Sequence, residues 1–447
     1  MLEIKRSKLS HIQIIALGYF SIVVLGTLLL MLPIATRSGT PAPFNTAVFT
    51  SVSASCVTGL ILKNTVTYWS IFGQLVILGL IQLGGLGYMT IATVFYRLVI
   101  KKHGLREKVI MAESINTTRI NNFSSLIKKI FLGTIIIELI GAVLLSIRFI
   151  GIFGIGKGIY YGFFHSISAF CNAGFDLLGN PTPFNSLTNF NDDPFVILVI
   201  SGLIILGGLG FLVWDDLTIK RFRFEKLNLH SKIVLTTSAA LLIISTLLFF
   251  VLEYNNLFKE MSLGTKILNS FFSAVTPRTA GFNTVDIASL SECSKLLTVI
   301  LMFIGGSSGS TAGGIKTTSL FVFLAFAVSS IRGKDSITSF QKSIRNEFLN
   351  KALLITTINL TLALSGAFII CAVEPITLSN AFVETFSAMS TVGLTASITP
   401  TLNIISQIVL MLLMFCGRVG SVSFAIALFE RKTKAPISYP NESITIG

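Results

Sequence analysis

Four short segments of the chain have a composition suited to holding a cation stripped of water. They read AVFTSVSASCVTGL (47–60), GFFHSISAFCNAGF (162–175), NSFFSAVTPRTAGF (269–282) and AFVETFSAMSTVGL (381–394). Each passes through Ser and Ala to a glycine followed by Leu or Phe. The four glycines, Gly59, Gly174, Gly281 and Gly393, recur at intervals of about 110 residues, and internal self-similarity of this kind governs a fold. Ser and Ala ahead of a glycine turn predict a short helix whose carboxyl end, partially negative, points toward the turn. Extended backbone at 56–60, 171–175, 278–282 and 390–394 would aim carbonyl oxygens at a common axis and replace a hydration shell. The expected ligands are main-chain oxygens near Cys56, Val57, Thr58, Cys171, Asn172, Ala173, Arg278, Thr279, Ala280, Ser390, Thr391 and Val392. Glycine suits such a ring because it has no Cβ and tolerates positive φ. Four turns that merely pack would leave the shared register and the surrounding polarity unexplained.

A second register follows the first. Gly-x-x-Gly occurs at Gly84/Gly87, Gly207/Gly210, Gly306/Gly309 and Gly417/Gly420. Close helix packing accounts for the first two pairs. The other two have polar or charged neighbours. Gly305, Gly306, Ser307, Ser308, Gly309, Ser310, Thr311, Ala312, Gly313, Gly314 and Lys316 fall in GGSSGSTAGGIKTT (305–318), whose glycines make a continuous helix costly and whose hydroxyls suit a wet interior. This reads as an intramembrane loop between two half-helices, placed beneath the ring as a movable constriction. Its near match to a phosphate-binding loop fails, because Ile315 intrudes before Lys316 and no soluble strand precedes it. Arg418 stands alone in an apolar helix, where a charge costs about 2.5–3.5 kcal/mol even on lenient scales. It is expected either to contact the loop and limit how long a cation rests below the ring, or to be satisfied by buried carbonyls. Glu138 is expected toward the outer or partner-facing part, and Lys316 toward carbonyls or the cytoplasmic vestibule.

The elements that must position these groups are membrane helices. The chain is 52% hydrophobic and 12% charged, about half the charge fraction of a soluble domain. Eight apolar runs, 13–32, 71–96, 130–150, 195–214, 233–252, 296–331, 352–373 and 404–429, reach the roughly 20 residues that cross a hydrocarbon core. The first ends at Met31-Leu32-Pro33 with no small-residue cleavage site, so it reads as a span and not a signal peptide. The four segments are too short to span and sit between runs. They must dip in and return, with their irregular backbone facing protein or water. The predicted fold is an all-α polytopic membrane protein of four helix–re-entrant loop–helix repeats, over 1–110, 111–228, 229–345 and 346–435, with a tail at 436–447.

Basic residues cluster in alternate connections: Lys5, Arg6 and Lys8; 97–129, with Arg97, Lys101, Lys102, Arg106 and Lys108; 218–232; 332–351; and Arg431, Lys432 and Lys434. The opposite side is expected to carry Asp176, Asp192, Asp193, Glu253, Glu260, Asp286, Glu292, Glu374 and Glu384. The excess of Lys and Arg inside then places both termini in the cytoplasm. The net charge of +14 is concentrated in that layer, where anionic lipid or a partner protein explains it better than nucleic acid does. Cys56, Cys171, Cys293, Cys371 and Cys416 lack metal or redox spacing and read as packed apolar groups. His11, His103 and His230 lie at the cytoplasmic edge and His165 has no acidic partner in sequence, so nothing marks an enzyme.

Together the four signatures, the helix pairs and the 305–318 loop resemble the superfamily of potassium transporters that includes the Trk, Ktr and plant HKT proteins, most closely the membrane subunit of bacterial Ktr systems, KtrB. The resemblance covers essentially the whole chain. It implies a channel-like subunit with a filter of Val57, Thr58, Gly59, Asn172, Ala173, Gly174, Thr279, Ala280, Gly281, Thr391, Val392 and Gly393, and a gate at the loop and Arg418. It implies transport of K+, stimulated by Na+, in the bacterial plasma membrane. It also implies a homodimer with one pathway per subunit, gated by a cytosolic ring of ATP- or ADP-binding regulatory subunits resembling KtrA, and no organic cofactor in this chain. Serine at the first filter position accompanies sodium selectivity in plant relatives, whereas Gly59 favours potassium here. No repeat carries the TVGYG of tetrameric potassium channels. The alternative is a secondary transporter coupling sodium or protons to potassium.

Overall fold

The computed structural model describes residues 11–87, 123–179, 186–333 and 336–420. Lys5, Arg6 and Lys8, the basic residues of 97–122, the far ends of the second and eighth apolar runs, the 110/111 boundary and the tail lie outside the described residues.

One pattern repeats along the chain. Helix α1 (His11–Leu30) leads into the short α2 (Phe44–Ser55), then across one turn of helix, α3 (Thr65–Tyr68), to α4 (Ile71–Gly85). The second quarter has α5 (Phe123–Phe153), the short α6 (Ile155–Phe170), then α7 (Pro194–Leu209) and α8 (Phe211–Ile219). The third has α9 (Leu229–Glu253), α10 (Leu263–Val275), α11 (Glu292–Phe303) and α12 (Thr317–Ile331). The fourth has α13 (Asn346–Val373), α14 (Leu378–Met389) and α15 (Ile404–Val419).

Local chemistry starts the outgoing helices. Ser70, Asp193, Ser291 and Asn403 each accept a backbone N–H in the first turn of α4, α7, α11 and α15. Such caps contribute about 1 kcal/mol apiece. Each short helix packs on the helices before and after it, and each outgoing helix also packs on the next short helix: α4 on α6, α7 on α10, α11 on α14, and α15 back on α2. The last contact closes the four quarters into a circle.

Polarity is reversed relative to a water-soluble domain. Ser51, Ser53, Ser166, Ser168 and Ser270 are buried, while α9 exposes Ile243, Leu247 and Val251 and α1 exposes Phe20, Leu25 and Leu28. An apolar exterior over a hydrogen-bonded interior is the arrangement that lipid demands.

By length and composition, three described helices can cross a membrane, within α5, α9 and α13, and α7 with α8 makes a fourth if that bent pair is one span. Eight apolar runs were expected to span, with a break only in 296–331. The outgoing runs are instead interrupted, and not only in the third quarter. The second glycine of every pair has positive φ: Gly87 (+77°), Gly210 (+94°), Gly309 (+70°) and Gly420 (+95°). At Gly210 the helix axis turns by 92° within an apolar stretch whose composition hides the break.

One further expectation changes. The described structure is not entirely helical: β1 (Ile337–Ser339) pairs antiparallel with β2 (Lys342–Ile344). Phe340 and Gln341 both have positive φ at the turn, as a tight hairpin of matching twist requires. Ile337 and Ile344 pack with Val322 of α12 and Leu349 of α13. Glu253 and Glu384 are fully buried. Glu253 accepts from Ser291 N and Oγ and from Asn256 Nδ2, joining the end of α9 to the start of α11.

A Cβ on Gly210 would come within 2.8 Å of Ser308 O, and its φ disfavours any L-residue, so Gly210→Ala should lose about 1–3 kcal/mol of stability. Thermal unfolding in detergent should show a lower Tm for Gly210→Ala and none of that loss for Gly202→Ala, where a Cβ meets nothing within 4 Å.

Candidate functional site

The short helices end in turns of nearly one design. In the first quarter, Val57 N donates to Ala54 O at 3.1 Å and Thr58 N to Ser53 O at 2.8 Å. Asn172 and Ala173 repeat both bonds with Ala169 and Ser168, and Thr391 and Val392 repeat them with Ala388 and Ser387. This paired bonding closes a helix C-terminus with the next residue left-handed. Accordingly φ is +58° at Val57, +59° at Asn172 and +51° at Thr391. In the third quarter Pro277 changes the path, and Ala280 N donates to Thr276 O at 3.0 Å, with Thr279 at +71°. The turns are therefore not extended throughout, as the sequence suggested. Left-handed residues alternate with the glycines, whose φ values run from +68° at Gly174 to +97° at Gly59. Val57, Thr279 and Thr391 are β-branched, and holding each there costs about 1–3 kcal/mol.

Hydroxyls from the short helices hold these turns. Ser53 Oγ accepts from Gly59 N at 3.0 Å and Ser387 Oγ from Gly393 N at 3.0 Å. Ser168 Oγ donates to Phe175 O at 2.7 Å, and Thr276 Oγ1 donates to Phe282 O.

The four turns meet head to tail. A Cβ on Gly59 would strike Ala173 O, one on Gly174 Ala280 O, one on Gly281 Val392 O, and one on Gly393 Thr58 O. Each would also lie within 3.2 Å of at least one neighbouring glycine Cα. At the four glycine positions no side chain fits, and the carbonyls of Ala173, Ala280, Val392 and Thr58 stand against them. The sequence-derived ligand residues are thus brought together in one place.

On one side of the ring lies the irregular segment between α11 and α12. It is shorter than expected, because Thr317 and Thr318 already belong to α12. Ser307 N donates to Gly208 O at 3.0 Å, Phe211 N to Gly309 O at 2.8 Å and Thr311 Oγ1 to Phe170 O at 3.3 Å, so the segment is seated on the break in the second quarter. A Cβ on Gly313 would strike Thr391 Oγ1 and come within 2.7 Å of Ser390 O of the fourth turn. Lys316 Nζ curls back to Ala312 O at 2.8 Å and Gly313 O at 3.1 Å. Arg418 Nη1 donates to Thr311 O at 2.5 Å, and its Nη2 to Gly84 O and Gly85 O. One guanidinium therefore joins the segment, the fourth quarter and the first, and its donors are met by carbonyls.

The first glycine of three pairs has a shared task. A Cβ on Gly84, Gly207 or Gly417 would strike Ser55 O, Phe170 O or Met389 O, the last carbonyls of α2, α6 and α14.

Charged and polar groups behind the ring were placed poorly from sequence. Glu138 is buried beside the second turn, where both carboxylate oxygens accept from Gln82 Nε2 at 3.1 Å and Cys171 Sγ lies 3.8 Å from Oε1. Arg278 turns its buried guanidinium away from the ring to Ser238 Oγ at 2.9 Å. The available signal was the presence of charge inside segments too apolar to carry it casually.

Comparison with known proteins covers nearly the whole chain. The family described as TrkH, cation transport protein, matches residues 7–434. The potassium/sodium uptake protein NtpJ of Enterococcus hirae is 40% identical over 449 residues, spanning 99% of this chain and 98% of the relative. The Ktr system potassium uptake protein B of Bacillus subtilis is 40% identical over 437 residues, 97% of this chain and 96% of that one. The crystal structure of the potassium transporter TrkH from Vibrio parahaemolyticus superposes with a TM-score of 0.76 at 15% identity, covering 95% of this chain and 86% of that one, a likeness of fold.

Asp176, two residues past Gly174, accepts from Leu178 N at 3.0 Å. Burial lifts its carboxyl from 3.8 to about 6, against the hydrogen bonds from Leu178 and Gly179 that favour the charged form. A carboxyl raised on folding binds its proton more tightly in the folded protein, so the wild type should gain stability relative to Asp176→Asn as pH falls through about 6. Melting curves of both proteins at several pH values check this, and a Tm difference independent of pH contradicts it.

Proposed function

This chain belongs to the TrkH cation transport protein family, and from that premise we propose that it takes up potassium across a bacterial plasma membrane through the ring of four turns. The closure of that ring, carbonyl against glycine in all four quarters, is the observation that carries the reading. Main-chain oxygens of 56–58, 171–173, 278–280 and 390–392 replace the water of a bare cation, while the carboxyl ends of α2, α6, α10 and α14 supply partial negative charge. The four quarters act as helix–re-entrant loop–helix repeats around one pathway, with the boundaries drawn from the sequence. Discrimination among cations arises from the number and field of these carbonyls, held by hydroxyls in the short helices.

The segment from Gly305 to Lys316 is the gate. It lies against the fourth turn and is latched by Arg418, whose positive charge limits how long a cation rests beside it. Opening requires exchanging the bonds to Thr311, Gly84 and Gly85. The chain works as a homodimer in which each subunit has its own pathway, with both termini in the cytoplasm. A cytosolic ATP- or ADP-binding ring drives the gate and Na+ stimulates transport; a relative named as a Ktr system component supports association with other subunits, and a relative named for potassium and sodium uptake supports a part for sodium.

The test is flux through the purified protein in liposomes with the membrane potential set by known gradients. Rubidium flux should exceed sodium flux, and Gly59→Ser, whose side chain must displace Ala173 O, should abolish the preference. Equal sodium flux that this substitution leaves unchanged overturns the filter assignment. In the same assay Arg418→Gln should raise the rate, and an unchanged rate and apparent affinity removes Arg418 from the gate. A reversal potential that follows the sodium gradient would replace the channel-like mechanism by a coupled one.

A further inference from the structure

Two buried titratable side chains beside the ring occupy the same register position and make the same bond. His165 stands nine residues before Gly174, and Glu384 nine before Gly393. Both have no exposed surface. His165 Nε2 accepts the N–H of Leu177 at 3.2 Å, and Glu384 Oε1 accepts the N–H of Ala396 at 3.1 Å. Each donor is the third residue past its glycine. Each bond therefore ties the strand leaving the ring to the short helix that enters it, outside the hydroxyl contacts of Ser168 and Ser387.

The surroundings show which atom of each side chain must accept. For Nε2 of His165 to accept, the ring proton must sit on Nδ1, and Nδ1 faces Tyr161 O at 2.7 Å, so the neutral tautomer satisfies both sides. Glu384 also meets Thr395 Oγ1 at 2.5 Å and Thr399 Oγ1 at 2.7 Å, hydroxyls that can donate or accept, while its Oε1 must accept from the N–H of Ala396. The other two quarters carry Thr50 and Phe272 at this position, and Phe272 has no acceptor to offer. In the order of contacts around the circle, the second and fourth quarters face each other.

We propose that His165 and Glu384 are a pair of positioning residues, one on each side of the ring, which hold the strands leaving the second and fourth turns and thereby set the carbonyl spacing that separates potassium from sodium. The inference rests on the filter reading above. Gly174 lies against Ala280 O and Gly393 against Thr58 O, so a strand released at Leu177 or Ala396 passes its displacement to a carbonyl of the adjacent quarter.

Volume and hydrogen bonding can be separated. The rings of Phe149, Phe164 and Phe282 surround His165 at centroid distances of 5.6, 6.0 and 6.4 Å, a box that accepts phenylalanine. His165→Phe and Glu384→Met keep the volume and delete the acceptor, whereas His165→Gln and Glu384→Gln keep an acceptor oxygen. In the liposome assay the Phe and Met variants should lose about tenfold in rubidium over sodium preference while still carrying rubidium, and the Gln variants should stay within about twofold of wild type. Folded Phe and Met variants with wild-type preference overturn the proposal. If those two do not fold, the Gln variants decide: retained preference supports it and lost preference overturns it. Gly59→Ser runs alongside as the reference. If it loses preference while the Phe and Met variants keep it, only the positioning role fails; if it too keeps preference, the filter reading fails and this inference falls with it.

Discussion

Four stretches of backbone approach so closely that a methyl group on any of four glycines would strike a carbonyl of the adjacent stretch. Most of the structure can be understood as meeting that constraint. A helix must stop short of each glycine, and in three quarters it stops by driving the residue after its cap left-handed, even where that residue is the β-branched Val57 or Thr391. Turns held in so unfavourable a conformation need bonds from outside themselves. Hydroxyls of Ser53, Ser168, Thr276 and Ser387 supply them from the short helices. Toward their carboxyl ends those helices are buried among the longer helices, which in turn expose outer faces to lipid.

The outgoing helices answer a related constraint. To let a short helix end against them, three give up side chains at Gly84, Gly207 and Gly417, where the last carbonyl of the short helix sits. The second glycine of every pair has positive φ, and in the second quarter the helix bends there. The irregular segment of the third quarter is thus an enlargement of a device present in the others. Its added length lets it reach the second quarter at Gly208 and the fourth at Ser390, and Arg418 carries the connection on to Gly84 of the first. A charge expensive to place in lipid is retained because several carbonyls from different quarters meet it at once.

The parts legible in the sequence were those that leave a compositional trace. Glycines demanded by close approach recur at a fixed interval, and Ser and Ala mark the short helices, so the four turns and the interrupted third outgoing helix could be placed in advance. The bend at Gly210 was hidden, because 195–214 is apolar throughout and one glycine in such a run commonly packs a helix without breaking it. The left-handed turns were hidden for the opposite reason: valine and threonine argue for extended backbone, and only the surrounding bonds override that preference. Glu384 could be assigned only a side of the membrane, because the three groups that make it an interior residue lie eleven to fifteen positions away. The hairpin at 337–344 is too short, and too full of polar residues, to be distinguished from a basic connection.

The central claim is that a dehydrated monovalent cation is held by main-chain oxygens of the four turns. Anomalous scattering from rubidium in crystals of the protein tests it most directly. The account predicts a peak on the axis of the ring, between the carbonyls of 56–58, 171–173, 278–280 and 390–392. Ordered rubidium found elsewhere in the protein, with none at the ring, would contradict it.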